Sequence, residues 1–150
     1  MKAPQHPHDP WEMEDDTPPP WRLTIEERGR SLGHRVSANA RWAIFALQAL
    51  LEDVRAIPQS SFIRYIALYG PLANGVESDA ISLCAILIGT TPAPIFAELG
   101  AHLTDLLAGA QRTYALKIDC LLVMEHDIAR PDRRPPEFTA IEHDHVVVWP

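Results

Sequence analysis

The chain holds 150 residues, 47% of them hydrophobic and 22% charged, a balance that suits one globular domain with a single core and excludes wholesale disorder. Its formal net charge is −7, of which −4 falls on residues 1–20. An acidic chain without a basic stripe lacks what neutralising a phosphate backbone requires, so nucleic acid is a disfavoured partner.

Residues 1–22 read as a disordered acidic tail rich in proline. Glu12, Glu14, Asp15 and Asp16 cluster there, with Trp11 and Trp21 standing out among them. Acids that steer and indoles that supply contact area make a linear motif for a partner's groove. The alternative is that the indoles tack the tail onto the domain. The opening residues, MKAPQHPHDP, lack the apolar core of a signal peptide.

Residues 23–130 read as a helical domain. Thr24 and Glu27 fit a capping box. Ser37 caps a stronger helix that runs to Ile57 and stops before Pro58. Its stripe is Ala40, Ala43, Ile44, Leu47, Leu50, Leu51 and Val54. A further helix is expected from Ser61 to Tyr69, halted by Gly70-Pro71. After a loop over 72–75, the apolar run to Ile88 reads as a short buried helix from Ser78 or Asp79. A buried strand is the alternative, because periodicity cannot separate the two over so few residues.

Thr91 and Pro92 then open one long amphipathic helix over about 92–128. Ile95, Leu99, Leu103, Leu106, Ala110, Tyr114, Ile118, Leu121 and Ile128 recur at three- and four-residue steps along it. Gly89, Pro92 and Pro94 interrupt the most apolar window, so no membrane span is expected. Residues 131–150 read as a proline-rich linker and an extended arm, whose Val146, Val147 and Val148 favour a strand. That strand must pair within the chain or with a partner. The expected fold is all-α: a compact bundle of four to five helices flanked by two arms.

Catalytic motifs are missing. There is no Gly-x-Ser-x-Gly elbow, no phosphate loop with its lysine and no His-Glu-x-x-His. Histidine beside acid is the one recurring theme, in Glu125-His126-Asp127 and Glu142-His143-Asp144. His126, Asp127, His143 and His145 could together hold a divalent metal such as zinc, whose bound water would hydrolyse a substrate. That requires the C-terminal arm to fold back on the end of the long helix. Glu98, His102 and Asp105 share a helical face, best read as solvated, as are Arg28, Arg30, Arg35 and Arg41. Cys84 and Cys120, the two cysteines, read as reduced buried thiols of a cytoplasmic protein.

The preferred function is therefore non-enzymatic and needs no cofactor: an interaction module such as an accessory subunit, an adaptor or a small inhibitor of a larger assembly. Its partner is another protein. The expected contacts are Trp11, Glu14, Asp15, Asp16 and Trp21 in the first arm and Val147 and Trp149 in the second. A metal-dependent hydrolase is the alternative, and a helical DNA-binding regulator a second one. A second copy of the chain could equally complete the stripe of so long a helix.

Overall fold

The computed structural model describes residues 18–33 and 35–150. The expectation of an all-α bundle is overturned: five helices pack with a four-stranded mixed sheet. The elements are α1 (Pro20–Ser31), α2 (Ala38–Arg55), β1 (Ile63–Tyr69), β2 (Ala80–Leu87), α3 (Ala93–Tyr114), β3 (Lys117–Met124), α4 (Glu125–Ile128), α5 (Phe138–His143) and β4 (His145–Trp149). Short 3-10 turns link several of them.

The amphipathic start of the chain behaves as its pattern requires. Ser37 accepts a hydrogen bond from the Ala40 amide at 3.1 Å and opens α2. Every residue of the α2 stripe is buried. Helix α1 begins earlier than the capping box implied, with Pro20 in its first turn. Thr24 lies inside it and donates to the Pro20 carbonyl at 3.0 Å.

Residues 63–69, expected to be helical, form a strand. Ile63 and Ile66 are three apart, which mimics one helical face, but they sit on a strand with a register shift between Ile63 and Tyr65. β1 is central, paired with β2 on one side and β4 on the other, so both its faces carry apolar residues and the two-residue alternation is blurred. β2 is central as well, and its apolar run is the buried strand rather than the short helix.

The long helix over 92–128 is likewise corrected. α3 stops at Tyr114 because Ala115 takes the left-handed conformation (φ 56°, ψ 42°). The next residues are an edge strand. Ile118 and Leu121 continued the helical spacing by coincidence. In β3 they lie on opposite faces, since strand side chains alternate. The β2–α3–β3 unit is a parallel crossover, and the β1–β2 and β1–β4 pairs are antiparallel.

The sheet order β3-β2-β1-β4 makes β3 and β4 the edges. One face packs on α1, α2 and α3 through Ile25, Ile44, Leu47, Leu68, Leu83, Leu87 and Leu99, all at most 2% exposed. The other face carries a smaller cluster in which Ile141 of α5 covers Ala67, Cys84 and Val123. Among the described residues no helix is long and apolar enough to cross a membrane.

Candidate functional site

Register alone assembles one polar constellation. Tyr69 pairs with His145 on one side and Ser82 on the other, and Ser82 pairs with Asp119. Their strand neighbours Leu68, Ile81, Ile118 and Val146 point into the main core, so these four side chains share the opposite face. The row His145–Tyr69–Ser82–Asp119 thus crosses all four strands. It lies beside the turn that leaves β1, where Gly70 adopts φ 86° and a Cβ would come within 4.0 Å of Ser82 Oγ.

Ser82 and His145 are two strands apart, roughly 10 Å at the usual inter-strand spacing, too far for the imidazole to activate the hydroxyl. His145 is engaged elsewhere, its Nδ1 lying 2.7 Å from the Ile141 carbonyl. Burial first, then the neighbouring Cys84, Glu137 and Asp119, pushes the Tyr69 phenol above its usual value, so it remains a neutral donor at physiological pH. Asp119 is exposed and is the row's one carboxylate.

The residues singled out from sequence are placed as follows. Trp11, Glu14, Asp15 and Asp16 lie outside the described residues. Trp21 and Trp149 are 7% and 5% exposed and belong to the main core; the Arg55 guanidinium sits 4.7 Å above the Trp149 ring. Neither indole is offered to a partner. Val147, between the buried Val146 and Val148, is 45% exposed, because alternation turns it to the face opposite theirs.

The four histidine-acid residues do not come together as a ligand set. His126 Nε2 is 3.6 Å from Asp127 Oδ1 on α4, and Asp127 also faces Arg133 at 3.6 Å. His143 is exposed at the end of α5, while His145 belongs to the polar row. Among the described residues, no group of three or more His, Cys, Asp or Glu is placed to hold a metal ion. The first histidine triplet instead serves structure: Glu125 accepts from the Gly89 amide at 3.1 Å and pairs with Arg64 at 2.7 Å.

Burial pushes the Cys84 thiol up to about 11 and the Cys120 thiol to about 12, so neither is a thiolate nucleophile near neutrality. They point to opposite faces of the sheet, Cys120 with the main core and Cys84 with the smaller cluster, and both are free.

A concave surface of about 490 Å³ is lined by Thr24, Glu27, Arg28, Ser31, Leu32, Asn74 and Asp144. Three of its polar residues, Arg28, Asn74 and Asp144, are bonded to one another. Arg28 reaches Asp144 at 2.5 Å and the His145 carbonyl at 2.9 Å, and Asn74 donates to Asp144 at 2.7 Å. Asn74 first, opposed by burial and helped by the Arg28 charge, holds the Asp144 carboxyl below its usual range. This network takes up one backbone group of β4, the His145 carbonyl.

Among the described residues the opposite edge is mostly unpaired. Lys117 N–H bonds the Asp79 carbonyl toward β2, so by alternation Ile118, Cys120 and Leu122 turn their backbone groups outward. Gln111 of α3 caps the Ile118 amide at 3.1 Å. No other described residue bonds the outward N–H and C=O of Cys120 and Leu122. Beside them α3 leaves Leu107, Ala108 and Gln111 only half-buried. Sequence reasoning missed both features. The row needs strand register, and the edge needed Lys117–Met124 to be read as a strand, for which Ile118, Val123 and the dense apolar run were the available signal.

No family model, curated protein or solved structure matches the chain.

Proposed function

We propose that the chain is a non-enzymatic protein-interaction module whose docking element is the free edge of β3. What supports this reading is an eight-residue edge strand, Lys117–Met124, whose safeguards, Lys117, Asp119 and the Gln111 cap on Ile118, are confined to its first three residues. Natural edges are blunted by charge, proline, bulges or cover. Here Asp119 is the only charge between Ile118 and Met124, there is no proline or glycine, and the register with β2 runs unbroken. An extended segment from a partner would add a fifth strand, satisfying backbone groups while its side chains read the two faces. The polar row ends at this edge with Asp119, which supplies a charged landmark next to otherwise apolar contact.

The β4 edge makes the contrast. It is shorter, and Arg28 already donates to its His145 carbonyl. Two free thiols held protonated by burial fit a reducing, cytoplasmic setting.

The test is affinity capture from the source cells with three chains: wild type, Leu121→Lys on β3 and Val147→Lys on β4. The lysine on β3 places a charge where a new strand must pair, whereas Val147 is already 45% exposed on the far edge. A protein retained by wild type and Val147→Lys, and lost from Leu121→Lys with unchanged folding, is the expected result. Equal retention by all three chains overturns the reading.

A further inference from the structure

We propose that the concavity where α2 begins, α3 ends and the chain turns into β2 is a binding site for a guanidinium group. Trp42, Glu77 and Asp79 are its contacts. The site shares no residue with β3 and is independent of docking at that edge.

The concavity has a volume of about 320 Å³ and is lined by Trp42, Tyr114 and Leu116 together with Glu77 and Asp79. That size lies at the lower end of pockets that take small ligands. Trp42 is 45% exposed, yet its indole is fixed in place. Its Nε1–H donates to the Tyr114 carbonyl at 3.0 Å, and the two rings meet edge-on with centroids 5.4 Å apart. Phe45 packs against both rings, at 5.8 and 6.0 Å. An indole held this way at the surface offers a π face that is already ordered before a ligand arrives.

The charge on the site is negative. Glu77 and Asp79 are exposed, and no Lys or Arg among the described residues forms an ion pair with either. Ser37 Oγ donates to Glu77 Oε1 at 3.0 Å and orients that carboxylate. The Asp79 carbonyl accepts from the Lys117 amide at 3.0 Å, which fixes the turn. Lys117, the cation nearest in sequence, points by alternation to the far face of the sheet. Arg41 lines a separate concavity with Arg30 and Arg35. The helix ends add little, because α3 ends here and α2 begins here, so opposite dipole ends offset one another.

The lining selects its occupant by exclusion. An anion would face two carboxylates, and an apolar group would bury them unpaired. A metal ion needs further ligands, and no group of three or more His, Cys, Asp or Glu among the described residues is placed to hold one. An organic cation satisfies both the rings and the carboxylates. Guanidinium fits best, since its flat face stacks on an indole while its N–H fork donates to carboxylates. An ammonium is more strongly hydrated and lacks that planar fork. The chain makes one such stack already, with Arg55 over the Trp149 ring.

The test is a titration of the full chain at low ionic strength, followed in proton–nitrogen correlation spectra. The signals read are the Trp42 indole N–H and the amides of residues 77–79 and 115–116. The probes are N-acetylarginine methylamide, methylguanidinium and N-acetyllysine methylamide. The arginine amide is expected to shift these signals saturably, with a dissociation constant in the millimolar range or below. The lysine amide should bind at least about threefold more weakly. Glu77→Gln, which keeps an acceptor for Ser37, and Asp79→Asn should each weaken the arginine amide at least about threefold. Both positions are exposed, so unchanged signals elsewhere certify the fold. Tighter binding of the arginine amide than of methylguanidinium supports the site and assigns it to an arginine of a peptide or protein. Equal binding of the two supports the site and assigns it to a free guanidine. Absence of a saturable shift, equal affinity for the lysine and arginine amides, or unchanged affinity in a Glu77→Gln, Asp79→Asn double variant overturns the proposal. None of these results bears on the β3 edge, which capture with Leu121→Lys tests by itself.

Discussion

Gly75 adopts φ 75°, and a Cβ there would lie 3.2 Å from the Ile25 carbonyl and 3.3 Å from Val36 Cγ2. Left-handed backbone and a tight neighbour act together, so Gly75→Ala is expected to lose about 1–3 kcal/mol of stability in urea unfolding. At Asp144 the consequence is a pH dependence. Its folded pKa is depressed, by Asn74 above all, so the folded state releases that proton more readily than the unfolded chain. The stabilisation is complete above the ordinary carboxylate pKa and is lost as pH falls through the lower folded value. Asp144→Asn, which cannot titrate, should therefore show a shallower fall in Tm on acidification. At neutral pH it should cost less than about 1 kcal/mol, because the pair is exposed to solvent.

At the scale of the element, the distinction between helix and strand turns on where a segment meets water. α2 was legible because it has one wet face and one buried one, so its stripe and its Ser37 cap could be read directly. β1 and β2 are wet on neither face along most of their length, and a segment with no polar alternation has no period to read. The end of α3 was hidden for a different reason. Ala115 serves as the left-handed terminus where glycine is usual, and Ile118 and Leu121 prolong the apolar spacing past it. This gives a discriminating prediction. Ala115→Gly relieves the left-handed penalty and should stabilise the chain by about 0.5–1 kcal/mol in denaturant titration, whereas glycine inside a continuous helix would cost about 1 kcal/mol. The polar row was equally hidden, since His145, Tyr69, Ser82 and Asp119 are ordinary in their local contexts and meet only through strand register.

At the scale of the whole molecule, the C-terminal strand is part of the core rather than an arm offered outward. Val146, Val148 and Trp149 are each at most 5% exposed, and β4 completes the sheet against β1. Trp149→Ala should cost about 3–5 kcal/mol, a large share of a domain's usual 5–15 kcal/mol, visible as a much lower urea midpoint. Arg28 takes up the His145 carbonyl of β4, while among the described residues nothing bonds the outward groups of Cys120 and Leu122, so β3 is the edge proposed to take an added strand. Docking there changes specific amides and spares their neighbours, which residue-resolved hydrogen exchange reads directly. When the β3 edge is occupied, the Cys120 and Leu122 amides should slow markedly relative to the dilute chain. Those of Leu121 and Val123, already bonded to β2, should stay protected in both states. Fast exchange at Cys120 and Leu122 under every condition that supports binding would contradict docking at this edge.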